Sequence, residues 1–255
     1  MADRFTGGFL AAVQFLTRVP VRTTRPPNLS AAVAWFPVVG ALVGAAVGIV
    51  AAVLGEIVPM PVAATVAILV GILLTGAFHE DGLADTADAI WGGSTRERRL
   101  EILKDPRHGT YGVAALAGSI VVRVVAVGAL GGGAAIAGLI SAHTLGRGAA
   151  VVAMGWVPLA RPDGLGADYT SAVSHARAAT GGVVAVAIAA IAAGWWVGPL
   201  AVAAIVPAVI VVALAIRALG GITGDVLGAV EQCVECAVLV AVTALAARDT
   251  VWWRV

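Results

Sequence analysis

Charge is what this chain of 255 residues most lacks: only 12% of it is Asp, Glu, Lys or Arg, about half the share of an ordinary soluble domain. With 60% hydrophobic residues and a mean hydropathy of +0.98, too few polar side chains remain to coat a water-facing globule, and a soluble fold is excluded. Cysteine is almost missing. Cys233 and Cys236 share one apolar segment, too few and too close for a disulfide framework, and a Cys-x-x-Cys with no second pair is no metal or redox signal. The net charge of +1 supplies no field to gather nucleic acid. A signal peptide is not expected either: the apolar stretch Phe5 to Leu16 is interrupted by Gln14 and followed by Thr17-Arg18-Val19-Pro20 rather than a small-residue cleavage site. It reads as a short re-entrant or interfacial helix.

What the chain has is apolar length. The pattern predicts an all-α polytopic membrane bundle of about seven spans, over 31–54, 59–78, 111–130, 134–157, 181–197, 199–216 and 225–247, forming one integral membrane catalytic domain over 1–255. With the N-terminus in the cytoplasm, 12 of the 16 basic residues fall on the cytoplasmic side, and Arg248 and Arg254 in the tail are the exceptions to the positive-inside rule. Trp195, Trp196, Trp252 and Trp253 are expected in the aromatic belt of the far face. Gly40, Gly44 and Gly48 line one face of the first span, which favours close packing inside the bundle and leaves room for a homo-oligomer contact.

Residues 79–112 carry the chemistry. Glu80, Asp81, Asp85 and Asp88 fall within nine positions at the end of a hydrophobic span. If the helix continues, Asp81, Asp85 and Asp88 at i, i+4 and i+7 share one face. Stacked carboxylates ask for a cation, and oxygen-only ligands suit a hard ion such as Mg²⁺, which completes its shell with water and substrate phosphates. Arg96, Arg98, Arg99, Lys104, Arg107 and His108 follow directly, with Gly109 and Gly112 allowing close backbone approach. A further acid, Asp225, opens the last span between glycines. It reads equally as a site residue and as a helix cap.

Four blocks, Phe15-Leu16-Thr17-Arg18-Val19-Pro20, His79-Glu80-Asp81-Gly82-Leu83-Ala84-Asp85-Thr86-Ala87-Asp88, Asp105-Pro106-Arg107-His108-Gly109-Thr110-Tyr111-Gly112 and Gly221-Ile222-Thr223-Gly224-Asp225, together resemble the cobalamin synthase (adenosylcobinamide-GDP ribazoletransferase) family, in order over almost the whole chain. The resemblance implies a multi-span enzyme of the bacterial inner membrane, late in the vitamin B12 pathway. Such an enzyme requires Mg²⁺, joins adenosylcobinamide-GDP to α-ribazole or its 5′-phosphate, and releases GMP. A looser likeness to CDP-alcohol phosphotransferases stops at Asp81-Gly82, because Leu83-Ala84-Asp85 departs from their pattern.

Phosphoryl transfer of that kind needs alignment and charge neutralisation more than covalent catalysis. The expected metal ligands are Glu80, Asp81, Asp85 and Asp88, and the expected catalytic carboxylates are Asp81, Asp85 and Asp88, with Asp88 taking the hydroxyl proton. Arg18, Arg96, Lys104, Arg107, His108 and Asp225 are the expected substrate-binding groups. A secondary transporter is the competing class, because Arg123, Arg147, Glu231 and Glu235 are ionisable groups inside spans. Against it stand the lack of repeated halves and the acids gathered at one membrane face. Counting 1.5 Å per residue inward puts Arg123, Arg147 and Glu235 at similar depth and predicts that Glu235 meets one of the arginines on the floor of a cavity. His143, one turn from Arg147, fits a packing role and a site role equally.

Overall fold

The computed structural model describes residues 2–21 and 29–248. The expected belt residues Trp252 and Trp253, and the basic residues Arg22, Arg25 and Arg254, lie outside the described residues. Among those described, every regular element is helical, apart from one isolated parallel bridge between Leu159 and Ile222. In chain order they are α1 (Ala2–Leu16), α2 (Leu29–Val33), α3 (Phe36–Gly55), α4 (Met60–Thr75), α5 (Phe78–Gly92), α6 (Arg96–Ile102), α7 (Thr110–Gly128), α8 (Gly132–Trp156), α9 (Leu165–Ser171), α10 (His175–Ala193), α11 (Val197–Leu219) and α12 (Gly224–Ala246).

Five apolar stretches among the described residues are long enough to cross a membrane, six if the bent pair α4–α5 counts as one. The fourth of these is the 45-residue run His175–Leu219. It is divided at Gly194, whose φ of 59° ends α10. Both ends of the run are held at the same end of the bundle. Gly155 at the close of α8 packs on Ala178, while Arg96 and Arg99 bind the carbonyls of Leu219 and Ala218 at the close of α11. The run therefore folds back on itself.

The second expected span, 59–78, differs more. Helix α4 stops at Thr75, Gly76 and Ala77 both take left-handed backbone conformations (φ 69° and 58°), and α5 leaves at 88° to α4. Glycine adopts that conformation freely, whereas Ala77 stores strain there. The acidic residues thus stand on a separate helix and not on a continuation of the span.

Helix α8 is the axis of the molecule, packed by α3, α10 and α12, and most of its residues are buried. The glycine stripe of α3 is spent inside this bundle: a Cβ at Gly40, Gly44 or Gly48 would overlap the backbone of α8 at His143, Leu139 or Ile136. Small residues let the two backbones touch where hydrophobic burial gives no drive in lipid. The same device joins α5 to α12, where Gly82 and Gly228 face one another, with no room for a Cβ on Gly82 and only a tight fit for one on Gly228. This crossing brings the start of α12 to the acidic helix.

Candidate active site

Helix α5 presents its acids in a graded row. The Asp81 side chain is 63% exposed and that of Asp85 15%, and Asp88 is buried. The cause is the start of α7, which docks over the lower part of the row. The N-cap of α7 is Gly109, which has no side chain to satisfy the first amides. Asp88 supplies the cap from α5, accepting hydrogen bonds from Gly109 N at 2.6 Å and Gly112 N at 2.9 Å, as carboxylates do at helix N-termini. Neither glycine has space for a Cβ against that carboxylate.

Docking of Gly109 delivers its neighbour. His108 places Nε2 at 3.5 Å from Asp81 Oδ1 and Nδ1 at 3.3 Å from Asp85 Oδ1, so one imidazole spans both carboxylates. The turn before it is clasped by Arg107, whose side-chain and backbone hydrogen bonds hold the Asp105 carboxyl down at about 2. Asp105 thus stays ionised throughout the neutral range.

Asp225 arrives from the other side. Thr223 caps α12 by accepting from Val226 N and donates its hydroxyl proton to Asp225 Oδ2 at 3.2 Å. Arg161, from the loop after α8, lies 3.7 Å from the same oxygen. That loop is held in place by the Leu159–Ile222 bridge and by Arg96, which donates to Ala160 O and Leu219 O, each at 2.8 Å.

Asp81, Asp225 and Arg161 open on a cleft with about 1000 Å³ of empty space. Its depth is closed by His79, Arg147 and Glu231, and one side is walled by Phe15, Phe36, Phe78 and Tyr169. Beneath the floor lies an ionic network. Arg147 pairs with Glu231 and, at 3.0 Å, with Glu235; Arg123 lies 3.0 Å from Glu80 and 3.5 Å from Glu235; and His143 contacts Glu235. Glu235 therefore meets both arginines expected at its depth. The charges inside the spans close on one another, as buried ions must when water is absent.

The chain matches the family model described as cobalamin-5-phosphate synthase over residues 8–243. It belongs to that family. Relatives named adenosylcobinamide-GDP ribazoletransferase include that of Bradyrhizobium diazoefficiens, 40% identical over 91% of this chain and 92% of its own length. That of Chlorobaculum tepidum is 34% identical over 91% and 92%, and that of Vibrio cholerae 33% over 89% of each. No solved structure matches the chain.

Of the residues singled out from the sequence of this cobalamin-5-phosphate synthase family member, the structure brings Asp81, Asp85, His108 and Asp225 to one place and sends others elsewhere. Glu80, one position before Asp81, is rotated about 100° around the helix and turns inward to Arg123. Asp88 is occupied by the α7 amides. Arg96 binds main-chain carbonyls, Arg107 binds Asp105, and Lys104 sits at the rim, 3.4 Å from Asp163. Arg18 lies against Gly76 at the α4–α5 break, its amide donating to Leu74 O.

Sequence reading missed Arg161 and the aromatic wall. Arg161 had only its place on the expected cytoplasmic side to mark it, and the four rings come from four helices distant in sequence.

Proposed function

We propose that the cleft is the centre of a phosphoryl transfer late in cobalamin synthesis, joining adenosylcobinamide-GDP to α-ribazole or its 5′-phosphate with release of GMP. The observation that carries the reading is the convergence of Asp81, Asp225 and Arg161 on one cleft, with Asp85 and His108 grouped beside Asp81. The names of the relatives supply the two substrates.

The donor set suits a hard divalent ion. Oxygens of Asp81 and Asp85 and a nitrogen of His108 lie within 4.8 Å of one another, and carboxylate oxygens with water and phosphate are what Mg²⁺ prefers. Asp81 and Asp85 would hold it, with water and substrate phosphate completing its shell and His108 beside them as a hydrogen-bonding group. Bound there, the ion supplies charge neutralisation of the diphosphate.

The protein's own groups do the rest. A ribose hydroxyl of the acceptor attacks the phosphorus that carries the corrinoid side chain, the bond from that phosphorus to GMP breaks, and GMP leaves with the bonding electron pair. Asp225, a cleft carboxylate not shared with His108, takes the hydroxyl proton. Arg161 faces the departing phosphate. Asp88 holds the 105–112 loop so that His108 meets the acids.

The basic residues gathered at this end support a cytoplasmic orientation for it, with the chain in the bacterial inner membrane. Detergent-purified protein given Mg²⁺, adenosylcobinamide-GDP and α-ribazole releases GMP in step with a new corrinoid on this reading. Release that does not depend on the acceptor, or that persists in Asp81→Asn, overturns it.

A further inference from the structure

The aromatic wall has no part in the chemistry just described. Three of the five phenylalanines and one of the two tyrosines line the one cleft. Phe15 of α1 is the hub: its centroid lies 4.1 Å from Tyr169 at a tilt of 34°, 5.6 Å from a stacked Phe36 and 5.1 Å from an edge-on Phe78. Phe36 and Tyr169 are themselves buried, and the remainder of the core is built mainly from alanine, valine and leucine. Phe78 is 42% exposed although it belongs to this cluster, which leaves ring surface open toward the cleft.

Position adds chemistry. Phe78 and Asp81 are three residues apart on α5, neighbours on one helix surface with about 5–6 Å between their Cβ atoms. A nucleoside has that layout, a flat base joined through one sugar to the hydroxyl that reacts.

Two aromatic groups compete for such a wall, the guanine of the activated corrinoid and the base of the acceptor. Guanine carries two donors and an acceptor on one edge and needs partners for them. The ring cluster offers a single polar group, the Tyr169 hydroxyl. The corrinoid itself is far bulkier than a nucleoside and belongs at the open mouth.

Resting on the transferase reading, we propose that Phe15, Phe36, Phe78 and Tyr169 seat the base of the acceptor riboside. They take a flat, weakly polar bicyclic ring and hold its sugar hydroxyl toward Asp81 and Asp225, while the GDP-activated partner enters from the mouth.

GMP release by wild type, Phe78→Leu and Phe78→Tyr, with a benzimidazole riboside as acceptor, tests this. Stacking of a base on a ring corresponds to about a tenfold effect or more. Phe78→Leu should raise the acceptor KM about tenfold, leave the KM for the GDP-activated corrinoid within twofold, and weaken competition by free benzimidazole against the acceptor. Phe78→Tyr, which keeps a ring, should stay within twofold of wild type.

Thermal protection of the detergent-solubilised protein by the riboside gives a readout free of turnover, present in wild type and lost in Phe78→Leu. An unchanged acceptor KM, or a rise confined to the corrinoid KM, overturns the proposal. If Asp81→Asn is inactive while Phe78→Leu binds acceptor as wild type does, the transferase reading stands and the seat of the base lies elsewhere. If Asp81→Asn is active, the transferase site itself is misplaced.

Discussion

Gly82→Ala asks whether the crossing of α5 and α12 sets the site. A Cβ there would stand 2.7 Å from Asp225 O, 3.1 Å from Asp225 Cα and 3.2 Å from Gly228 Cα. All three are main-chain atoms of α12, so no rotamer change relieves them. Non-bonded atoms rest at about 3.5–4.0 Å, and the first turn of α12 must therefore retreat by roughly 0.5–1 Å. Alanine gains about 1 kcal/mol of helix propensity over glycine, and overpacking costs about 1–3 kcal/mol. Stability should fall by no more than about 2 kcal/mol, a Tm change of roughly 8 °C at most for a chain of this length.

Catalysis should suffer more than stability, because the retreating atoms carry Asp225, and a misplacement of about 1 Å in a site costs on the order of a hundredfold. GMP release by the folded variant should drop ten- to a hundredfold, read beside its thermal unfolding in detergent. Gly118→Ala is the control, since nothing lies within 4 Å of its new Cβ, and it should retain wild-type turnover. A Gly82→Ala enzyme within twofold of wild-type kcat would refute the idea that this contact positions Asp225.

The long helices were legible because lipid demands length and apolarity, and α3, α7, α8, α10, α11 and α12 begin and end within six residues of the expected spans. The break after Thr75 was not. Hydropathy carries no bend, and Ala77, one of its two left-handed residues, is a type that normally continues a helix.

In the acidic block, residue type and helical spacing pointed to Asp81 and Asp85. The same arithmetic could not show that α7 would cover the row at Asp88, nor that Glu80 would serve an arginine 43 positions later. In the basic loop residue type leaves two uses open. A guanidinium satisfies a phosphate or a set of helix-end carbonyls equally well, and Arg96 and Arg99 took the carbonyls of α11. Depth counting succeeded for Glu235, Arg123 and Arg147 because residues at one level of a narrow bundle have few other neighbours to meet.

Asp81→Asn and Asp85→Asn each remove a ligand charge from a partly wet helix end; each should cut GMP release at least a hundredfold and leave the unfolding temperature nearly unchanged, and near-normal turnover in either would remove that residue from the site. Asp88→Ala takes the cap from α7, costing about 1 kcal/mol, and should lower kcat through the displaced His108 loop by more than its stability loss explains; equal losses in both would reduce Asp88 to a structural cap alone. Arg123→Met probes the network under the cleft. Arg123 Nη1 serves Glu80 and Glu235 together, and all three side chains are at most 4% exposed. Its loss leaves Glu80, Glu231 and Glu235 with Arg147 as the one arginine of the network, and an uncompensated buried charge costs about 3–5 kcal/mol, or roughly 6–20 °C in Tm. Adding Glu80→Gln removes one of the stranded carboxylates and should restore a large part of that loss. A single variant that melts within 2 °C of wild type, or a double variant no more stable than the single, would mean that these charges are solvated from the cleft and that its floor is open.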